Sequence, residues 1–173
     1  EAKIHLKKAI ELEPDFLKAY VNLGLVERKS NEFDKAEGTY LKALDLDKKN
    51  SEAKMGLGLV LFAKGRYSEA ASAFRGCELE TARLHLLRSC YFSDQKSEFF
   101  EVLHQLMEEQ NVTAILGSMI SRASVRFDTK ISNPFCNNPF DYLYQKNLRE
   151  SYNFDEVFIK PALEILNQKD IHF

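Results

Sequence analysis

Residues 17–50 read LKAYVNLGLVERKSNEFDKAEGTYLKALDLDKKN, and the same pattern starts again at Ser51 with SEAKMGLGLVLFAKGRYSEAASAFRGC. Four sets of positions recur at a spacing of 34 residues: Ala2, Ala36 and Ala70; Leu6, Tyr40 and Phe74; Ala9, Ala43 and Cys77; Gly24 and Gly58. A fixed spacing of this size indicates a helix–turn–helix unit that buries its apolar face only by stacking on its neighbours. We expect the small residues where two helices cross closely, and the large ones beside them.

The apolar pattern predicts helices along most of the chain. Helical spacing gives the ranges 2–12, 16–29, 33–46, 52–63 and 68–79, followed by a less regular set at 81–92, 97–109 and 112–124. Asp15 is predicted to cap the second helix and Ser51 the fourth, because their side-chain oxygens can accept free backbone N–H groups. Gly65 is predicted to end the fourth helix, as glycine just past the last turn usually does.

The character of the sequence changes after Arg126. Residues 133–141 read NPFCNNPFD, and the two Asn-Pro steps disfavour a helix, since the residue before proline is pushed towards extended conformations. We predict an ordered loop over 126–141, a short helix over 141–149 and a last helix over 155–169 that Pro161 bends or divides. This C-terminal cap is expected to pack five aromatic side chains on the last repeat: Phe135, Phe140, Tyr144, Phe154 and Phe158.

Composition and charge narrow the classes of function. The formal net charge is −2, and nucleic acid is not predicted as a partner, because proteins that bind it carry a concentrated basic surface. The longest apolar stretch, 56–63, is too short to span a bilayer, so no membrane partner is predicted either. Three cysteines without metal-ligand spacing favour a reducing, cytoplasmic location. Glu1 falls inside a helical pattern, so we expect the sequence to be a piece of a longer protein.

No sequence pattern typical of an enzyme active site is found. The four histidines form neither HxH nor HExxH, and there is no glycine-rich phosphate loop and no Gly-x-Ser-x-Gly. Cys136 has no histidine close to it in the sequence that would act as a base, and we expect it to be buried as a small apolar residue. We therefore predict no catalytic residue, no metal and no cofactor in this chain.

The first part of the chain closely resembles the tetratricopeptide repeat family. Each repeat of that family carries an aromatic residue, a Leu-Gly pair, an alanine, a second aromatic residue and a second alanine at fixed positions. The first full repeat, 17–50, has these residues at Tyr20, Leu23, Gly24, Ala36, Tyr40 and Ala43. The family also places a proline near the end of the repeat, and Lys48 stands at that position here. The second, 51–79, matches at Leu57, Gly58, Ala70 and Phe74, and departs from the family at Lys54 and Cys77.

The resemblance implies a layout for the whole chain. Residues 1–14 look like the second half of a preceding repeat, and 80–125 look like decayed repeats in which Phe99, Leu103 and Leu106 replace the small and aromatic residues. The implied fold is all-α, a right-handed superhelix of helix–turn–helix repeats within 1–125. A loop with capping helices follows over 126–173.

In this family the concave face, which the first helix of each repeat lines, holds the ligand. Carried over by resemblance, the peptide-facing positions are Lys18, Val21, Asn22, Leu25, Arg28, Lys29, Glu52, Met55, Leu59, Phe62, His85 and Arg88, together with Gly56, Ala63, Thr81, Leu84, Tyr91 and Phe92. Asn22 can donate to and accept from a peptide backbone. The basic residues suit acidic groups and the apolar ones form the middle of the groove, so the resemblance implies an extended or helical peptide with acidic flanks.

Two alternatives stand beside an open peptide groove. The C-terminal helices fold back and fill the groove, or the residues named are ordinary packing positions. Some members of the family also grip a terminal carboxylate with a clamp of lysine and asparagine, which Lys18 and Asn22 overlap in part. Gly56 stands where the second repeat of such a clamp would supply another asparagine, so this chain departs from that pattern.

A second, shorter resemblance concerns residues 133–142. They are similar to the segment that joins repeats to the catalytic domain in some bacterial iron(II)/2-oxoglutarate-dependent oxygenases. Those enzymes need a metal-binding His-x-Asp/Glu…His triad, which these 173 residues lack. The resemblance implies that this chain is the accessory arm of such an enzyme, with the chemistry beyond Phe173.

Three functions therefore follow from the sequence. The first is a non-enzymatic scaffold that binds a protein or peptide through its groove, and the second is the oxygenase arm. The third is self-association, because the helix over residues 4–12 exposes an apolar face that a second copy of the chain could cover.

Overall fold

The computed structural model describes residues 1–109, 113–134, 153 and 155–161, and within these ranges the chain is helical with no strand. The α-helices are α1 (Ala2–Leu12), α2 (Leu17–Lys29), α3 (Phe33–Leu46), α4 (Ser51–Ala63), α5 (Tyr67–Arg75), α6 (Glu80–Phe92), α7 (Lys96–Glu108) and α8 (Ala114–Arg126). The all-α prediction is confirmed, as is the presence of each helix predicted over 2–124. The chain divides into two compact units, Glu1–Asn137 and Asn138–Phe173.

The two predicted helix caps are wrong. Helix α2 follows Phe16 without a side-chain cap, because Asp15 lies one residue too early and uses its backbone oxygen to accept from the Leu17 N–H at 2.7 Å. The side-chain oxygen of Asn50, not Ser51, caps α4 by accepting from the Ala53 N–H at 2.9 Å. The prediction for Gly65 is confirmed, since its φ of +76° is the left-handed conformation that glycine adopts without strain.

Helix α5 ends at Arg75, four residues before the predicted end at 79. Gly76 weakens the helix at this point, because glycine loses more backbone entropy than other residues. The carbonyl of Gly76 is used by the Lys54 ammonium of α4, which donates to it at 2.6 Å. The Cys77 thiol likewise donates to the Ser51 carbonyl at 3.2 Å, so the segment after α5 is fixed to α4.

The helices form two layers. Contacts link α2 to α4, α4 to α6 and α6 to α8, whereas α3, α5 and α7 make their main contacts with helices adjacent in the chain. Helices α2, α4, α6 and α8 therefore form one continuous row, here called the inner row. Each member of this row is the first helix of its repeat in the predicted register.

Glycine–aromatic pairs hold the clear repeats together. A Cβ atom at Gly24 would lie 2.8 Å from the Tyr40 ring, and one at Gly58 would lie 2.5 Å from the Phe74 ring. Both rings are only 2% exposed, so each aromatic side chain of the second helix fills the space that the glycine of the first helix leaves open. The prediction that the small residues mark close helix crossings is confirmed.

The region from 80 to 126 uses larger residues for the same purpose. Phe99, Leu103 and Leu106 are fully buried, as their spacing predicts. Leu87 occupies the position that Gly24 and Gly58 hold in the clear repeats, and it is also fully buried. The helix pair α6–α7 therefore builds its core from leucine where the clear repeats use glycine and an aromatic residue.

The chain after α8 is described only in part. Asn133 is buried, and its side-chain amide donates to the Gly117 carbonyl at 3.0 Å and the Ser121 hydroxyl at 2.9 Å, which ties the start of the predicted loop to α8. In the second unit, Asp155–Ile159 forms a π-helix. The predicted helix over 141–149, the part of the last helix beyond 161 and the capping side chains Phe135, Phe140, Tyr144, Phe154 and Phe158 lie outside the described residues.

Candidate functional site

The predicted groove residues lie on α2, α4 and α6 of the inner row, at three levels of exposure. Exposed positions are Lys18, Asn22, Lys29, Glu52, Ala63, Thr81 and Phe92. Half-buried positions are Leu25, Arg28, Met55, Leu59, Phe62, Leu84, His85, Arg88 and Tyr91. Val21 is 8% exposed and belongs to the core, so its side chain contributes to packing rather than to a surface.

Gly56 also has a packing role. A Cβ atom at this position would lie 2.2 Å from Cζ of Tyr40, closer than real Cβ contacts come. The Tyr40 ring therefore contacts the backbone of α4 at Gly56 and that of α2 at Gly24. This arrangement brings the Tyr40 hydroxyl to the inner row, although Tyr40 belongs to the outer helix α3.

Arg28 lies beside that hydroxyl. Burial raises the pKa of Tyr40, and a hydrogen bond from Arg28 opposes the rise. The Nε atom of Arg28 is buried and has no hydrogen-bond partner in the described part of the chain. A buried donor without an acceptor is uncommon, because it loses its bonds to water and gains nothing in return.

Two further basic residues come from α6. The His85 ring stacks on Phe74, with centroids 5.3 Å apart, and the Arg88 guanidinium lies 4.8 Å from the centroid of Phe62. The pKa of His85 is lowered, first by burial and then by the positive charges of Arg88 and Arg28. The charges of Arg28 on α2 and Arg88 on α6 therefore both act on His85. We call Arg28, His85 and Arg88 the basic cluster.

The two arginines of the basic cluster differ in their ion pairing from most other arginines of the described residues. Four arginines have a carboxylate within 4.0 Å: Arg66, Arg75, Arg83 and Arg126. In the described part of the chain, Arg28 and Arg88 have none at that distance, and only the exposed Arg122 shares this property. Glu27, which precedes Arg28, is bound by the Thr39 hydroxyl at 2.7 Å and approached by Lys3 at 3.6 Å.

An aromatic group adjoins the basic cluster at the ends of α4 and α6. Phe62 contacts Tyr67 and Phe92 edge-on, with centroids 5.1 and 5.7 Å apart, and Tyr67 stacks on Phe92 at 5.0 Å. Phe92 is 38% exposed, so this group presents apolar surface next to Arg88. Such a mixture of a planar cation and aromatic rings suits a ligand with both charged and apolar groups.

The sequence prediction missed the part of the row that α8 contributes. A shallow pocket is lined by Tyr91, Ser121, Arg122, Val125 and Arg126. The Arg126 guanidinium lies 4.8 Å from the centroid of Tyr91 and donates to its backbone carbonyl at 2.8 Å. The Leu116-Gly117 pair would have predicted this part of the row. It corresponds to the Leu-Gly pair of the repeat and so sets a register in which Ser121 and Arg122 occupy ligand-facing positions.

The described residues contain neither a metal site nor a membrane span. No group of three or more His, Cys, Asp or Glu residues in the described ranges could hold a metal ion. In the same ranges, every helix is too short or too polar to cross a membrane. Cys136 and most of the segment that resembles an oxygenase linker lie outside the described residues.

Comparison with known proteins identifies the repeats. The family model described as tetratricopeptide repeat matches residues 2–51 and again residues 21–77. Residues 2–77 carry tetratricopeptide repeats. The two overlapping matches cover the region in which the glycine–aromatic pairs recur, and so the family resemblance of this region is confirmed.

Several solved structures share the fold. YrrB, described as a TPR protein with an unusual peptide-binding site, is 23% identical with a TM-score of 0.59, over 71% of this chain and 68% of YrrB. PilF of Pseudomonas aeruginosa is 18% identical with a TM-score of 0.65, over 92% of this chain and 77% of PilF. MamA AMB-1 is 19% identical with a TM-score of 0.56, over 66% of each chain. At these identities the likeness shows the fold alone.

The curated relatives are much longer proteins. Human protein O-mannosyl-transferase TMTC3 is 40% identical over 60 residues, which are 35% of this chain and 7% of TMTC3. Mouse TMTC3 is also 40% identical over 60 residues. The chain thus spans less than a tenth of the curated relatives it matches, and this short match does not show transferase activity here.

Proposed function

We propose that this chain is a non-enzymatic binding module that holds a peptide or a protein segment against the inner row. The observation that carries the proposal is the continuous surface across α2, α4 and α6, where exposed polar and half-buried apolar side chains alternate. The peptide-binding site of YrrB, a protein with the same fold, supports a role of this kind.

The chemistry of the surface suits a peptide backbone with apolar side chains. Asn22 is exposed on α2 and can donate to and accept from one peptide unit at the same time. Met55, Leu59 and Phe62 are half-buried along α4, so their outer surfaces are available to apolar side chains of a ligand. Methionine adapts its shape to different partners, which favours a range of related sequences.

A peptide-display selection tests this function. Random peptides are selected on the immobilised protein, and the binding of the selected peptides is measured by fluorescence anisotropy. The double variant Asn22→Ala with Met55→Ala should weaken binding roughly tenfold, since it removes a backbone contact and an apolar contact. The control Ser72→Ala lies on α5 of the outer layer and should bind as the wild type does. Equal binding by all three proteins would contradict the proposal.

We propose self-association as a second function, on a separate observation. Helix α1 and the turn after it expose three large apolar side chains: Ile4 is 69% exposed, Leu12 78% and Phe16 39%. A second copy of the chain that covers this face would remove them from water. Light scattering across a dilution series tests the idea, and the variant Ile4→Ser with Leu12→Ser should stay monomeric where the wild type dimerises. A wild type that stays monomeric at every concentration would contradict it.

A further inference from the structure

Among the residues that the structure describes, the two arginines of the basic cluster have no carboxylate partner of the kind that Arg66, Arg75, Arg83 and Arg126 have. We propose that Arg28, His85 and Arg88 bind an oxyanion on a side chain of the bound peptide, either a carboxylate or a phosphoryl group. The proposal rests on the proposed peptide-binding function and names the chemistry of one position in the ligand.

The first argument is the unsatisfied donor of Arg28. Its Nε is buried with no hydrogen-bond partner within the described ranges, although the Tyr40 hydroxyl lies beside the same guanidinium. An oxyanion would supply the missing acceptor, and charge-assisted hydrogen bonds of this kind are about twice as strong as neutral ones. The nearest acidic residue in the sequence, Glu27, is already engaged by Thr39 and Lys3.

The second argument is the orientation of Arg88. Its guanidinium carbon lies 4.8 Å from the centroid of the Phe62 ring. A guanidinium held against a ring keeps the N–H groups at its edges, where they can bind two oxygens of one anion. The packing of Phe62 against Tyr67 and Phe92 fixes the ring and therefore reduces the entropy that Arg88 loses on binding.

The third argument is the concentration of positive charge at a half-buried place. Arg28 and Arg88 both disfavour a proton on His85, which burial disfavours as well. An anion beside these groups would offset their positive charge, and it would also favour the charged imidazolium. The site is thus complementary in charge to an anion and unfavourable for a cation.

Three synthetic peptides test the inference. Each is blocked at both ends and consists of three repeated units: Glu-Leu-Gly, phosphoserine-Leu-Gly or the neutral Gln-Leu-Gly. We expect the wild type to bind one or both anionic peptides at least roughly tenfold more tightly than the neutral one, with a preference that falls as salt is added. The Glu and phosphoserine peptides distinguish the two sources of the oxyanion.

Variants locate the preference on the protein. Arg28→Gln and Arg88→Gln should each remove most of the preference for the anionic peptides, whereas the charge-conserving Arg28→Lys and Arg88→Lys should keep part of it. Lys42→Gln is the matched control, because it removes one positive charge from an exposed position of the outer helix α3. Thermal unfolding of each variant shows whether a loss of binding reflects a loss of fold.

The outcomes separate this inference from the proposed function. If the wild type binds selected peptides at the inner row without any preference for the anionic series, the inference is wrong and the proposed function stands. If the preference exists but Lys42→Gln reduces it as much as Arg28→Gln, the charge acts at long range and the inference is also wrong. A rise in the pKa of His85 when the anionic peptide binds, followed by NMR and absent with the neutral peptide, would place the anion at the cluster.

Discussion

Residues 2–77 and residues 80–126 build similar helix pairs with different side chains. In the first region, Gly24 and Gly58 receive the rings of Tyr40 and Phe74. In the second, leucines stand at the corresponding positions 87 and 103, and both are fully buried. In the first region one aromatic ring fills the space beside a glycine, whereas in the second region both helices contribute an aliphatic side chain to the core. The helix–turn–helix architecture therefore continues through residues 80–126, where the sequence repeat has decayed.

The largest expected effect is the loss of an aromatic ring in the first region. Phe74→Ala should lower the free energy of unfolding by about 3–5 kcal/mol, because it leaves a cavity against Gly58 that the backbone cannot close. Leu103→Ala, at the equivalent place in the second region, should cost about 2–5 kcal/mol. Urea denaturation measures both, with Ser72→Ala as an exposed control near zero. A negligible effect of Phe74→Ala would show that the ring is not a core residue.

An exchange of side chains between the two regions tests directly whether the two positions fill one shared space. Gly58→Leu alone should destabilise by about 1–3 kcal/mol or more, because even a Cβ atom would lie 2.5 Å from Phe74. The double variant Gly58→Leu with Phe74→Leu copies positions 87 and 103 and should recover part of that loss. A double-mutant cycle in urea measures the coupling. Strictly additive effects would contradict the claim that the two positions share one space.

A smaller effect is expected from two glycine substitutions with opposite signs. Gly56→Ala should destabilise by about 1–3 kcal/mol, since its Cβ would overlap the Tyr40 ring. Gly38→Ala, in the middle of α3 and with no atom within 4 Å of its Cβ, should stabilise by about 0.5–1 kcal/mol. Thermal unfolding of the two variants gives the comparison. A Gly56→Ala variant as stable as the wild type would mean that Tyr40 moves aside without penalty.

The smallest effect concerns charge at the start of the first region. The Lys3 ammonium donates to Glu32 at 2.8 Å, and with Lys35 it lowers the pKa of Glu32 from 4.5 to about 2. A lowered pKa in the folded state means that the pair stabilises above the unfolded pKa and loses this effect as the pH falls to about 2. Lys3→Gln should therefore be less stable than the wild type at neutral pH, and the difference should shrink as the pH falls from about 5 to about 2.

Lys8→Gln is the control for this pH dependence, because Lys8 is an exposed residue of the same helix. Its difference from the wild type should change little over the same range. A difference for Lys3→Gln that stays constant down to the acid limit would contradict the role given to the Glu32 pair.

The sequence predicted the helices of the first region well because two signals, apolar spacing and the 34-residue period, agreed there. Apolar spacing predicted both ends of α3 correctly, and the 34-residue period predicted that Tyr40 and Phe74 pack beside small residues. The helix ends were harder to predict, because capping depends on the conformation of single residues. Asn50, and not Ser51, caps α4. Helix α5 ends before Gly76, whose carbonyl accepts a hydrogen bond from Lys54. Apolar periodicity predicts neither the residue that caps α4 nor the residue at which α5 ends.

The candidate site was predicted as a list of positions but not as an arrangement. The register named Arg28, Phe62, His85 and Arg88 correctly as residues of the inner row. It did not indicate that Tyr40 reaches the row from the outer layer, because that depends on the missing side chain of Gly56. The register also did not predict that Arg28 and Arg88 have no carboxylate partner among the described residues. Ion pairing depends on residues distant in sequence, such as Glu98 for Arg75.

The central claim is that the inner row recognises an anionic peptide through the basic cluster. The most direct measurement is an NMR titration of the labelled protein with the blocked Glu-Leu-Gly and phosphoserine-Leu-Gly peptides, following backbone amides and arginine Nε–Hε signals. With the peptide that binds, we predict that the signals of Arg28, His85 and Arg88 shift together and saturate, while those of Arg66 and Arg75, which have carboxylate partners, stay in place. Shifts confined to the outer helices α3, α5 and α7, with none at Arg28 and Arg88, would contradict the claim.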